Sequence, residues 1–337
     1  MKYIVCEEPG IFLLNDKQKP ERAADEALIK IHRVGICGTD LHAYAGNQAF
    51  FKYPRILGHE LSGEIIDVGD NPQNLKNGDR VLVMPYVSCG DCVACRQAKT
   101  NCCTNIEVLG VHTDGGMQEV LAIRTELLIS SENLSYDEMA LVEPLAIGAH
   151  ALRRAALKAG ETIVVVGCGP IGIGILKLAQ LQGAHTIALD VAESRLEFVK
   201  EKIGVDHIVN VSQNAVAEVA KITNGELATA VFDATGNKRA LESGVDYMAH
   251  GGRYILVGLS KDDLLFNHPA IHAKESSILC SRNATLEDFQ LVLNNLKHFP
   301  SDVFITHKVN FTEMITHFDS WLSPENKVIK AMVSFTD

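Results

Sequence analysis

Five of the nine cysteines in this 337-residue chain, Cys89, Cys92, Cys95, Cys102 and Cys103, fall within fifteen residues. Gaps of two residues let consecutive thiolates curl around one ion, and a longer last gap closes the loop. That is the spacing of a closed, tetrahedral, all-cysteine zinc site, which shapes a loop and leaves no coordination position for a substrate. Cys89, Cys92 and Cys95 supply three ligands. Counting alone leaves the fourth open between the adjacent Cys102 and Cys103; Cys103 is taken here. The chain is expected to be cytoplasmic, where clustered thiols serve metal rather than disulfides.

A second pattern suits phosphate. Gly167-Cys168-Gly169-Pro170-Ile171-Gly172 follows the apolar, β-branched run Thr162 to Val166 and opens a helix-like stretch from Ile171 to Gln182. Between a strand and a helix, these glycines have the context of a dinucleotide-binding turn. Gly167 permits the tight turn, Gly169 lets a pyrophosphate approach the backbone, and Gly172 lets helix and sheet pack closely. Pro170 falls near the first helical position, where a missing N–H costs nothing. The helix start at Ile171 offers free N–H groups and a partial positive charge. Asp190 ends the next strand, eighteen residues after Gly172. A carboxylate there accepts both ribose hydroxyls and repels a 2′-phosphate, favouring NAD over NADP. Arg195, close by, softens that preference.

A third set has no tight spacing. Cys37 lies in Gly35-Ile36-Cys37-Gly38-Thr39-Asp40-Leu41-His42, His59 and Glu60 follow Gly58, and Glu143 precedes Pro144. A lone buried cysteine or histidine is usually packing. The case for these residues rests on their joint presence.

Two kinds of element must hold these groups. Up to about residue 145, short alternating segments such as Ala27–Val34 and Leu61–Val68 are divided by Gly, Pro and Asp turns, which predicts an irregular β-rich domain. After Pro144, apolar strands alternate with helices. Strands are expected at Thr162–Val166, Thr186–Asp190, Ile208–Val211, Ala230–Asp233, Tyr254–Val257 and Ser277–Cys280, with a helix at Glu193–Lys202. Six such strands make an α/β, doubly wound, parallel sheet of Rossmann type. The tail is read as one amphipathic helix, Leu286–Leu296, and a terminal strand, Val328–Phe335, returning to the first domain. The expected division is 1–146 with 284–337, and 147–283.

Taken in order, these motifs resemble the zinc-containing medium-chain dehydrogenase/reductase family, whose members include alcohol and sorbitol dehydrogenases. The resemblance covers essentially the whole chain and implies a GroES-like catalytic domain beside the Rossmann domain. It implies two zinc ions per chain and NAD. It assigns the catalytic zinc to Cys37 and His59, with Glu60 a nearby acid able to approach or replace a ligand. Glu143 stands where alcohol dehydrogenases of the family place a second cysteine, as in the polyol dehydrogenases, where the acid binds the metal directly or through water. Thr39 and His42 match the family's proton relay, and Lys330 a basic position that contacts the cofactor phosphates. Less common segments, among them Val111-His112-x-Asp114-Gly115-Gly116 and Ser281-Arg282-Asn283-Ala284-Thr285, resemble a bacterial branch that oxidises hexonic acids such as L-galactonate or L-gulonate. Arg282 follows the last Rossmann strand, where a guanidinium can grip a carboxylate through two parallel hydrogen bonds or pair with an acid of its own protein.

Composition narrows the partners. With 42 acidic against 31 basic side chains the net charge is −11, which argues against a nucleic-acid binder. The apolar stretch Tyr3–Cys6 is too short for a signal-peptide core. The uncharged run Thr162–Leu176, broken by glycines and Pro170, falls short of the roughly 20 residues that span a bilayer. The expected partner is a small-molecule alcohol, with only 6% aromatic residues arguing against aryl or long-chain ones. A neutral polyol is the alternative substrate. A silent zinc- and nucleotide-binding redox sensor is the alternative of another class, and a zinc-free quinone reductase lacks these cysteines. The last sheet strand can pair across a two-fold axis, so a homodimer or homotetramer is expected.

Overall fold

The computed structural model describes residues 1–48 and 51–335 and divides the chain into two compact units. One comprises 1–143 and 293–337, the other 144–292.

The first unit is built on a seven-stranded sheet. Its order is Ile305–Asn310, Lys330–Ser334, Glu26–Ile36, Glu60–Val68, Arg80–Val83 and Leu128–Ser130, with Val120–Arg124 also pairing Glu26–Ile36. The long strand Glu26–Ile36 therefore serves three neighbours. It does so by shifting register between Leu28 and Ile29 and again between Ile31 and Arg33. Those bulges break the simple alternation read from the sequence: Ala27, Leu28 and Ile29 are all buried. Ile29, Ile31, Val34, Leu61, Ile65, Val81 and Leu121 form the sheet's share of the core. Phe12 stacks on Tyr44 with ring centroids 4.8 Å apart, and Phe318 packs edge-on at 4.8 Å from Phe12.

This sheet sets the site. Gly35 pairs with Glu60 antiparallel, so Cys37, just past one strand, lies beside His59, just before the other. Ala331 pairs with Ile36, which brings Lys330 to the same end. The tail holds more than was expected: besides the final strand it forms the strand Ile305–Asn310 and the helix Met314–Leu322. Met314, Phe318 and Trp321 are buried in the first unit's core at helical spacing.

The second unit holds a six-stranded, wholly parallel sheet in the order His207–Asn210, His185–Asp190, Thr162–Val166, Ala228–Asp233, Met248–Leu256 and Ser277–Cys280. Numbered along the chain this is 3-2-1-4-5-6, the dinucleotide-binding order, with its switch point between Thr162–Val166 and Ala228–Asp233. Ile163, Val164 and Val165 are fully buried, as strands covered on both faces must be. The helix expected over Glu193–Lys202 runs as α-helix only to Phe198. A π-helical turn, Val199–Ile203, then ends at Gly204 with φ 76°. The strand expected at Tyr254–Val257 is the last part of the longer Met248–Leu256.

Candidate active site and metal-binding groups

In the lobe, the sulfurs of Cys89, Cys92, Cys95 and Cys103 all lie within 4.8 Å of one another. Cys92 and Cys95 sulfurs are 3.5 Å apart, those of Cys103 and Cys89 3.4 Å. A disulfide requires about 2.05 Å, so these are separate thiols. Four thiolates on a tetrahedron around one zinc stand roughly 3.8 Å apart, given a Zn–S bond of about 2.3 Å. Backbone N–H groups of Cys89 and Asn105 donate to the Cys103 sulfur at 3.3 and 3.4 Å, and the Cys89 amide is the main cause of a lowered Cys103 pKa. Cys102 is exposed and stands outside the group, while Cys103 is buried within it. Adjacent residues in this turn face opposite ways, which counting did not reveal.

The second metal-capable group is buried and drawn from distant positions. One ligand atom each of Cys37, His59 and Glu60 falls within 4.8 Å of the others. Cys37 caps the helix Gly38–Tyr44, and its backbone N–H donates to Asp40 Oδ2 at 2.9 Å. Asp40 Oδ1 accepts from the Gly58 N–H at 3.3 Å and lies 3.8 Å from His59 Nδ1. Asp40 thus ties both ligand-bearing segments together while itself only 1% exposed. Burial alone would lower the His59 pKa, but the charges of Asp40, Cys37 and Glu143 raise it well above the ordinary imidazole value. His59 Nδ1 has no hydrogen-bond partner. An orphaned imidazole nitrogen among anionic groups, with a thiolate in reach, fits a zinc ion.

The dinucleotide turn passes a similar test. Gly167 has φ 95°, and a Cβ on Gly172 would stand 1.8 Å from the Gly167 carbonyl oxygen, so neither position takes another residue without rearrangement. A Cβ on Gly169 would meet only Arg195 Nη1 at 3.9 Å, which leaves that face open for a phosphate. Pro170 begins the helix Pro170–Leu181 and Ile171 follows it. The Cys168 N–H donates to Asp190 Oδ2 at 2.7 Å and the Ala192 N–H to Oδ1 at 2.9 Å. These bonds hold the carboxylate at the strand end where a ribose would meet it.

Residues 23–133 match the alcohol dehydrogenase GroES-like domain, and residues 170–298 match the zinc-binding dehydrogenase domain. This chain belongs to the zinc-binding dehydrogenase family. L-galactonate-5-dehydrogenase of Escherichia coli K12 is 40% identical over 337 residues, covering 99% of each chain. Sorbitol dehydrogenase of Bacillus subtilis 168 is 39% identical over 268 residues, 77% of this chain and 75% of that one. Among solved structures, the alcohol dehydrogenase RspB of Escherichia coli CFT073, complexed with NADH, matches with a TM-score of 0.92 at 30% identity over 99% of both chains. The chain is an oxidoreductase acting on CH–OH groups, with the family's α/β fold: a GroES-like unit and a parallel six-stranded Rossmann-type sheet.

Within this dehydrogenase the remaining expected residues fall unevenly. Glu143 is buried but outside the Cys37–His59–Glu60 group, and accepts a hydrogen bond from the Tyr86 hydroxyl. Burial, and after it the charge of Glu60, pushes its pKa up to about 7 against the opposing pull of His59, Tyr86 and Lys330. Lys330 corrects an expectation. It is 2% exposed, donates to both Glu60 oxygens at 2.6 and 2.7 Å, and donates to the Ile36 carbonyl at 3.0 Å. Its three donors are engaged at Glu60 and Ile36, because a buried ammonium must be matched by a buried carboxylate. Gly35 makes the room: a Cβ there would lie 2.0 Å from Glu60 Oε2. Thr39 is half-buried and His42 exposed on the helix Gly38–Tyr44, three residues apart and so on one face. Arg282 is exposed in the turn after the strand Ser277–Cys280. Asp40 and Tyr86 were given no role by sequence reasoning. Asp40 was in view beside Cys37, and its distance from His59 in the chain hid the link.

Proposed function

We propose that this dehydrogenase oxidises a secondary hydroxyl of a sugar acid, a hexonate such as L-galactonate or L-gulonate, to the ketone with NAD as hydride acceptor. The observation that carries the reading is the buried Cys37–His59–Glu60 group, with an orphaned nitrogen on His59 and a paired cation on Glu60. Cys37 and His59 would hold a catalytic zinc, with Glu60 or Glu143 as the changeable partner. Cys89, Cys92, Cys95 and Cys103 would hold a structural one. When bound, zinc supplies Lewis acidity toward the substrate hydroxyl and NAD supplies the hydride acceptor. Gly167, Gly169, Pro170, Ile171 and Gly172 cradle the pyrophosphate, Asp190 takes the ribose, and Arg195 lies beside the phosphate turn.

The protein's own groups do the rest. Asp40 fixes the Cys37 turn and faces His59. Thr39 takes the substrate proton and His42, on the same helix face and exposed, passes it to solvent. Lys330 keeps Glu60 ionised and away from the ligand position until it is needed. Arg282 grips the substrate carboxylate. The domain division 1–146 with 284–337, and 147–283, a cytoplasmic location and a homodimer or homotetramer complete the reading. Among the described residues no helix is long and apolar enough to cross a membrane. The exposed edge strand Ser277–Cys280 supports two-fold pairing.

Relatives favour a second substrate class as well, since sorbitol dehydrogenase stands at 39% identity. The test is NADH formation on L-galactonate, L-gulonate, other hexonates, sorbitol, galactitol and simple alcohols, with and without a chelator. Chelator-sensitive turnover of hexonates, lost on Arg282→Met, is the expected result. Turnover of polyols alone would remove the carboxylate grip and keep the mechanism.

A further inference from the structure

Two polar atoms in the turn after the last strand of the parallel sheet are buried without a partner: Ser281 Oγ and Asn283 Nδ2. Ser281 as a whole is only 6% exposed. Leaving such a group unsatisfied costs about 1–3 kcal/mol, so two of them on either side of Arg282 call for a ligand. The turn holds its shape without one. The Ser281 N–H donates to the Leu256 carbonyl at 2.9 Å, carrying the sheet pairing one residue past the strand. Asn283 adopts φ 52°, a conformation asparagine tolerates, and Ala284 is 2% exposed. The Thr285 N–H and hydroxyl donate to Asp288 Oδ2 at 2.8 and 3.0 Å, and Arg153 donates to both Asp288 oxygens.

Its place in the fold identifies the side of the ligand it meets. Cys280 pairs with Leu256 and Leu256 with Asp233, so the turn lies at the carboxyl edge of the sheet, where ligands of such sheets bind. Asp190 ends the second strand, across the switch point, and takes the adenosine half under the reading above. The reactive half of the dinucleotide therefore belongs over the fourth to sixth strands, and the substrate with it.

We infer that Ser281 and Asn283 form a hydroxyl-reading pair for a polyhydroxylated substrate, flanking the Arg282 that takes its carboxylate. The inference rests on the substrate reading above and deepens it. Asn283 Nδ2 donates to a substrate hydroxyl oxygen. Ser281 Oγ both accepts and donates, which matches a chain of vicinal hydroxyls. A monohydric alcohol leaves both atoms unpaired, and a site built to pair with hydroxyls rejects an analogue that lacks them.

The test compares Ser281→Ala, Asn283→Gly (which keeps the left-handed backbone) and Arg282→Met in the full-length enzyme. It measures kcat/KM on L-galactonate, galactitol and 2-butanol, and KM for NAD. Ser281→Ala and Asn283→Gly should each lower kcat/KM roughly tenfold or more on both polyhydroxylated substrates. Their values for 2-butanol and for NAD should stay within about twofold, while Arg282→Met harms the acid alone. A raised KM for NAD would assign the atoms to the cofactor and overturn the inference. Equal losses on galactitol and 2-butanol would make the turn merely structural and overturn it too. A wild-type enzyme active on galactitol but not on L-galactonate would defeat the sugar-acid reading and leave the pair to be judged on galactitol. Activity on neither would defeat both.

Discussion

The two metal-capable groups of this chain are built in opposite ways. The cysteine lobe draws four like residues from positions 89–103, two of them half-buried and one exposed, on short turns with one four-residue helix. The Cys37–His59–Glu60 group draws unlike residues from two strand ends, is ringed by Asp40, Glu143 and Lys330, and is largely buried. Local spacing suffices to gather thiols that need only close a shell. A reactive group needs an open position, mixed donors and neighbours that set its charge, and only a sheet brings those from far along the chain.

The difference is broken most directly at Cys37. Cys37→Ala should cut kcat by about 10³-fold or more, because a lost ligand removes several kcal/mol of transition-state stabilisation at roughly 1.4 kcal/mol per tenfold. The melting temperature should stay near that of the wild type. Activity within tenfold of wild type would show that this group is not the reactive one.

Asp40→Asn probes the neighbours rather than the ligands. It keeps the shape but weakens the hold on Cys37 and the charge facing His59. Loss of outer partners typically costs 10–100-fold, so steady-state rates should fall by about that much with both metals retained by mass spectrometry. An unchanged rate would reduce Asp40 to a helix cap.

At the lobe the balance reverses. Cys92→Ser should release one zinc per chain and lower the melting temperature by roughly 5–10 °C, the scale of a few kcal/mol for units of this size. Turnover at low temperature should remain within about threefold. A loss as large as that of Cys37→Ala would erase the distinction between the groups.

The smallest effect sharpens the contrast with a charge cluster that uses no metal. Burial would raise the Asp288 pKa, but hydrogen bonds from His150, Arg153 and the Thr285 backbone hold it well below the usual carboxylate range. A depressed folded-state pKa adds stability above the unfolded value of about 3.9 and loses it as pH falls through the folded one. Asp288→Asn should therefore flatten the acid limb of urea stability below about pH 4. A chelator should leave that limb unchanged.

Much of this was legible in the residues. Thr162–Val166 and Ser277–Cys280 are strands with the bounds read from their apolar runs, and the glycine turn carries its own geometry. The tail was read less fully. Met314, Phe318 and Trp321 form a buried helical stripe that was passed over beside the terminal strand. The end of Glu193–Lys202 was misjudged because a π-helical turn keeps helical composition while changing the bonding.

What the sequence determined by itself is whatever depends on neighbours along the chain: the thiol spacing at 89–103, the turn at 167–172, the acid closing the strand at Asp190. What only the tertiary structure decided is what crosses long separations. It placed Cys103 rather than Cys102 among the sulfurs, Asp40 against His59, and Lys330 on Glu60 across 270 residues rather than free for phosphate. Antiparallel pairing of Gly35 with Glu60 and of Ile36 with Ala331 creates those meetings. Charge decides the rest, since an ammonium taken out of water pairs with whatever carboxylate the sheet has buried beside it.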